Sequence, residues 1–266
     1  MLDLDRYVDR QSPLHRADAR VKFIATVAFI VAVGLLPVGA YAALGLAWLA
    51  VIGTAAVAHL GPFRPARRAF LAAPFLLAAF PLIFTRPEDP LATVMLGPLT
   101  LTISGEGLRL FTTIALKSWI SVQAALLLAF TTPFHELVDA LRQLRLPRIM
   151  VSIISFMYRY LAVLADESSR MSRARAARSA EAPDGRRGGS IAWRAKVTGG
   201  LVGALFLRSY ERSERIYAAM QARGFEGEVR HIHSRALRPA EYVVIGFVIA
   251  ACALFAAAVN VLGALR

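Results

Sequence analysis

YVVIGFVIAACALFAAAVNVLGAL, residues 242–265, contains no charged side chain from end to end. A helix needs about 20 mostly apolar residues to cross a hydrocarbon core of about 30 Å. In that core only helices and closed barrels satisfy their own backbone hydrogen bonds. The run therefore predicts a transmembrane helix and an all-α integral membrane fold.

Four more stretches fit the same reading: Val21–Val38, Tyr41–Leu60, Ala69–Phe84 and Gly107–Phe130. The first two form a hairpin about Pro37 and Gly39. The third is short and carries Pro74 and Pro81, so it is expected to be kinked or incompletely spanning. About five transmembrane helices result. The chain is 57% hydrophobic, above the about 45 to 50% usual for soluble domains. Its single cysteine, Cys252, lies inside an apolar run and offers neither a disulfide nor a thiolate metal site. The opening Met1-Leu2-Asp3-Leu4-Asp5-Arg6 is acidic and polar, unlike a cleavable signal, so the N-terminus is expected to be kept.

Net charge is +13, and its placement orients the chain, because short loops rich in Lys and Arg stay cytoplasmic. Arg6, Arg10, Arg16, Arg20 and Lys22 precede the first span, and Arg64, Arg67 and Arg68 follow the second. The first loop has no charge, and the third holds Arg86, Glu88, Asp89 and Glu106. The N-terminus is thus expected inside, with the arginine-rich middle cytoplasmic and the C-terminus outside. Lys117 lies within the fourth span. An intramembrane charge is costly, and the reading adopted is that it faces the bundle interior and bonds to carbonyls or a polar partner.

Three segments follow from the composition: transmembrane helices over 1–132, an amphipathic cytoplasmic module over 133–239, and a last transmembrane helix over 240–266. In the module a short helix starts at Thr132-Pro133, suited to cap and first turn, and ends before Leu146-Pro147. A long helix is predicted from Pro147 to Ser179, apolar from Ile149 to Leu164 and arginine-rich thereafter. The apolar part contains Arg159 and is expected to lie along the membrane or under the bundle. Glu181 to Ser190 is rich in turn formers. A third helix is predicted over Ile191–Ala222, apolar around Val197 to Leu207 and charged beyond.

Both long helices close on a small residue, an arginine and another small residue: Ala177-Arg178-Ser179 and Ala222-Arg223-Gly224. Such an arginine can pair bidentately with a carboxylate while its neighbours admit a close approach. Equally, the arginines can be solvated and complement the helix macrodipole. Gly224 suits a helix C-cap.

These features, with Ser12-Pro13-Leu14-His15-Arg16-Ala17-Asp18-Ala19-Arg20-Val21-Lys22 and the run from Glu211 to Phe225 (ERSERIYAAMQARGF), resemble the transmembrane, or T, component of energy-coupling factor transporters, especially the cobalt-type CbiQ subfamily. The resemblance covers nearly the full length. It implies that Ala177, Arg178, Ser179, Ala222, Arg223 and Gly224 seat in grooves of two ABC-type ATPase subunits. It also implies a small membrane substrate-binding (S) subunit, the inner (plasma) membrane as location, and a non-catalytic role with no cofactor in this chain, since ATP and Mg would be held by the ATPases. Cobalt is the implied cargo, with nickel or biotin as alternatives.

In keeping with this, no Gly-Lys-Ser or Gly-Lys-Thr loop surrounds Lys22, Lys117 or Lys196. His231 and His233, beside Arg230 and Arg235, make a poor metal site. Two rival readings are a membrane enzyme using His135, Glu136 and Asp139, and a stand-alone channel or permease, for which one internal lysine offers few polar groups. Nucleic acid is disfavoured because the basic faces are interleaved with apolar stems.

Overall fold

The computed structural model describes residues 7–8, 10, 12–61, 64–70, 79–84, 90–96, 99–144, 146–178, 190–227 and 238–264. Ser179, most of the 181–190 break, His231, His233 and the centre of the third expected span, including Pro74, lie outside the described residues. The helices are α1 (Pro13–Arg16), α2 (Ala19–Gly34), α3 (Tyr41–Val57), α4 (Arg64–Ala69), α5 (Gly105–Thr131), α6 (Phe134–Gln143), α7 (Arg148–Arg178), α8 (Ile191–Ala222) and α9 (Pro239–Ala264). A 3-10 turn spans Phe80–Ile83. By length and composition Gly105–Thr131, Arg148–Arg178 and Pro239–Gly263 suffice to cross a membrane, and Tyr41–Val57 is a shorter apolar helix. The protein is an all-α membrane protein with one local addition.

That addition is a two-stranded antiparallel hairpin, β1 (Pro90–Leu96) and β2 (Leu99–Ser104), with Val94 opposite Leu101 and Leu96 opposite Leu99. The sequence reading placed only a loop here. Leu99-Thr100-Leu101-Thr102-Ile103 alternates with period two, and Gly97-Pro98 separates two β-prone runs. Apolar strands of six or seven residues are too short to register in a search for spans.

Two compact units emerge among the described residues: one from 141 to 227, the other from 7 to 140 with 238 to 264. In the second unit α5 is central, packing against α2, α3, α4 and the 3-10 turn, while α9 packs on α2. Val33, Leu36, Leu44, Ala47, Val51, Ile120 and Ala124 form its main core. Ala43, Ala47, Val51 and Ala55 recur every fourth residue on α3, all buried, and such small side chains let helices approach closely where lipid removes the hydrophobic drive. Gly107 extends the logic: a Cβ there would stand 2.7 Å from the Leu82 carbonyl oxygen.

Helix α2 stops at Gly34, four residues before the expected end of the first span. Its last carbonyls, which have no intrahelical donor, are met by side chains from far along the chain. Lys117 Nζ donates to the Gly34 carbonyl at 3.0 Å and also to that of Leu36. Asn260 Nδ2 donates to Leu35 at 3.0 Å. The adjoining turn is pinned by the Gly39 N–H donating to Thr113 Oγ1 at 3.1 Å, with Gly39 at φ +83°. The expectation for Lys117 is met by carbonyl acceptors, and the ammonium opposes the negative end of the α2 dipole.

Candidate functional site

The 141–227 unit is built on α7 and α8, and its contacts run in opposite directions along the two helices. Arg175 donates to Thr198 Oγ1 at 3.4 Å and lies 5.9 Å from the Trp193 ring centre. Arg208 meets Glu167 at 2.9 Å. The Phe156 and Phe225 rings sit edge to face at 6.3 Å, and Ser152 Oγ donates to the Gly227 carbonyl at 3.5 Å. The helices are therefore an antiparallel pair.

Glu167 organises the middle of that pair. One carboxylate oxygen accepts from Arg170 at 2.6 Å and the other from Arg208. Arg170, then Arg208, hold the Glu167 carboxyl below its usual range, and the same contacts raise the Arg170 guanidinium above its own. Asp166 adds a second acceptor for Arg170 at 2.8 Å.

The antiparallel arrangement puts the two arginine triplets at opposite ends. Arg178 closes α7 beyond Arg175, and Arg223 follows α8 beside the start of α7. At about 1.5 Å per residue the two tips are on the order of 35 Å apart along the pair. Ala177, Arg178, Ala222, Arg223 and Gly224 are all exposed; Ser179 lies outside the described residues.

The second tip has a defined stop. Gly224 takes φ +78°, a region open to glycine at little cost. The Phe225 N–H returns to the Met220 carbonyl at 3.0 Å and the Gly224 N–H to that of Gln221 at 2.9 Å, the paired bonds of a Schellman cap. This leaves Arg223 at the very end of the helix and turns Phe225 back onto Phe156. The sequence signal was Gly224 itself.

Between the apolar first half of α7 and the second half of α8 lies an open groove of about 1020 Å³, lined by Ile149, Ile153, Phe156 and Met157 on one side and Tyr210 and Tyr217 on the other. Ile153 and Met157 are each 59% exposed, and Tyr210 and Tyr217 each 55%. The apolar spacing of each stem was visible in the sequence. That the α7 stem faces the later part of α8, with Tyr210 and Tyr217 turned to it, was not, because it depends on the antiparallel register of the pair.

His135 and Glu136 are exposed and Asp139 is half-buried, all on α6. Among the described residues no group of three His, Cys, Asp or Glu side chains is arranged to hold a metal ion. The basic N-terminal arm divides: Arg10 and Arg16 are exposed, whereas Arg20 and Lys22 are buried.

The chain is 30% identical to the energy-coupling factor transporter transmembrane protein EcfT of Heliobacterium modesticaldum, over 85% of each chain. It is 30% identical to the nickel permease LarQ of Lactiplantibacillus plantarum, over 70% of this chain and 63% of that one. A putative ABC transporter ATP-binding protein of Bifidobacterium longum matches at 28% over 85% of this chain but only 29% of its own length. Residues 10–234 match the family model described as cobalt transport protein, CbiQ, and the chain belongs to that family.

Proposed function

We propose that this chain is the energy-coupling transmembrane subunit of an ECF-type ABC importer, passing ATPase motion to a separate substrate-binding membrane subunit. The observation that carries the reading is the pair of exposed arginine tips at opposite ends of one antiparallel helix pair. Two tips match two copies of an ATPase, each presenting a carboxylate-lined groove to one guanidinium. In the Bifidobacterium relative a region like this chain is part of a protein named for ATP binding, which supports the same pairing.

In this proposal ATP and Mg belong to the ATPases, and this chain performs no covalent chemistry. Closure of the ATPase pair moves Arg178 and Arg223, and with them the stems of α7 and α8. The apolar groove receives the small S subunit, which tilts to release its cargo inward. The protein resides in the inner membrane with the 133–239 module in the cytoplasm. The family description points to cobalt as cargo. Likeness to the nickel permease favours nickel as the second reading.

The test is copurification from native membranes in mild detergent. Tagged wild-type chain retrieves an ATPase and a small membrane protein, and mass spectrometry of the latter points to the cargo. The double variant Arg178→Ala, Arg223→Ala reaches the membrane but loses most of the ATPase, because removing one partner of a buried ion pair costs about 3–5 kcal/mol. Equal recovery with both chains would refute the assignment of the tips.

A further inference from the structure

Lys22 is 6% exposed, and its ammonium donates to the carbonyl of Thr131 at 3.0 Å. Thr131 is the last residue of α5, and α6 begins at Phe134. α6 crosses from one compact unit into the other, since the division falls after Ala140. Lys22 therefore grips the point where the transmembrane core hands over to the segment leading into α7.

Other contacts close on the same turn. The Val8 N–H donates to the Phe130 carbonyl at 3.0 Å, and the Arg68 guanidinium stands 5.2 Å from the Phe130 ring centre. Thr131 Oγ1 bonds back to Leu127 at 2.9 Å, and Thr132 is buried. A buried ammonium is expensive, and an apolar side chain of equal length would fill the space at lower cost. What the charge adds is a strong bond to a carbonyl at the end of α5, beyond the reach of the helix's own N–H donors.

We propose that Lys22 is a positioning residue for energy coupling: by holding the end of α5 it stiffens the first covalent link between the core and the coupling helices. Displacement of α7 then reaches α5 instead of being absorbed by rotation about Phe130 to Pro133. This rests on the coupling function proposed above.

The experiment is hydrogen exchange on the complex copurified from native membranes, with and without Mg and a non-hydrolysable ATP analogue. In wild type the nucleotide changes exchange in 148–178 and 191–222 and also in 105–131. In Lys22→Met the response of the two coupling helices stays, while that of 105–131 falls roughly tenfold, the factor carried by one buried hydrogen bond to a charged group. Lys22→Arg restores it. A purely structural lysine would alter exchange with and without nucleotide alike. Should Lys22→Met fail to reach the membrane, Arg68→Gln, at an exposed position on α4 over the Phe130 ring, gives the same selective loss at smaller amplitude. An undiminished nucleotide response of 105–131 in these variants overturns the proposal for Lys22 alone. No nucleotide response in 148–178 and 191–222 of wild type overturns the coupling function, and the role of Lys22 with it.

Discussion

The carboxylate of Glu167 receives Arg208 from the opposing helix at 2.9 Å while still held by Arg170 on its own helix at 2.6 Å. This ionic cross-link between α7 and α8 contributes to their register, beside the Arg175–Thr198 and Phe156–Phe225 contacts. Glu167→Gln is expected to broaden the distance distribution between spin labels at Ser172 and Val202, read by pulsed electron resonance. The carboxyl is held below its ordinary range by its arginines, so its contribution is complete above the ordinary glutamate value of about 4.3. It is lost as pH falls through the lowered value. Wild type therefore broadens on acidification below that point and Glu167→Gln does not. Salt at about 1 M, with a Debye length near 3 Å, brings wild type toward the variant.

Lys117 holds two carbonyls beyond the last turn of α2. Lys117→Met preserves length and removes the donor. It should lower stability in detergent by about 1 kcal/mol, the net worth of a hydrogen bond, seen as a lower thermal unfolding midpoint. ATPase copurification at fixed temperature should be unchanged. A midpoint equal to wild type would mean that lipid or water satisfies those carbonyls as well.

Gly107 admits no Cβ without moving backbone, since the Leu82 and Ile83 carbonyl oxygens would lie at 2.7 and 2.8 Å. Gly107→Ala is expected to destabilise by about 1–3 kcal/mol, as overpacking does. The loss should appear as faster exchange in 105–113, where the 3-10 turn abuts α5. Gly53, with open space around its would-be Cβ, serves as the control that tolerates alanine.

Gly224 presents the opposite case: nothing crowds its Cβ, but φ is +78°. Gly224→Ala should cost about 1–2 kcal/mol for the left-handed conformation alone, and Gly224→Asn less, since asparagine tolerates that region. Both are measured by thermal unfolding. If alanine also lets α8 run on by a turn, Arg223 leaves the helix end and ATPase recovery falls for alanine but not for asparagine.

Where end signals are written in the chain, the boundaries were legible. Helix α8 runs over Ile191–Ala222 as expected because Ser190 caps it, accepting from the Trp193 N–H at 3.3 Å, and Gly224 stops it. The early end of α2 was not legible, because Leu35 and Leu36 are as apolar as what precedes them. Lys117, Asn260 and Thr113, all remote in sequence, supply the bonds that complete the turn there. For α9, Pro239 at the first turn and Glu241, accepting from the Arg238 N–H at 2.7 Å, mark a start three residues before the apolar run. The arginine triplets stood out by repetition, whereas the shared groove and the burial of Lys22 depend on packing that no local pattern encodes.

The end of α2 is completed by Lys117 and Asn260, which lie 83 and 225 residues further on. During synthesis the first hairpin is consequently made before either of these two donors exists. A chain cut short before α9 would lack the Asn260 donor to the Leu35 carbonyl, so a turn made early in the sequence is finished by the last helix.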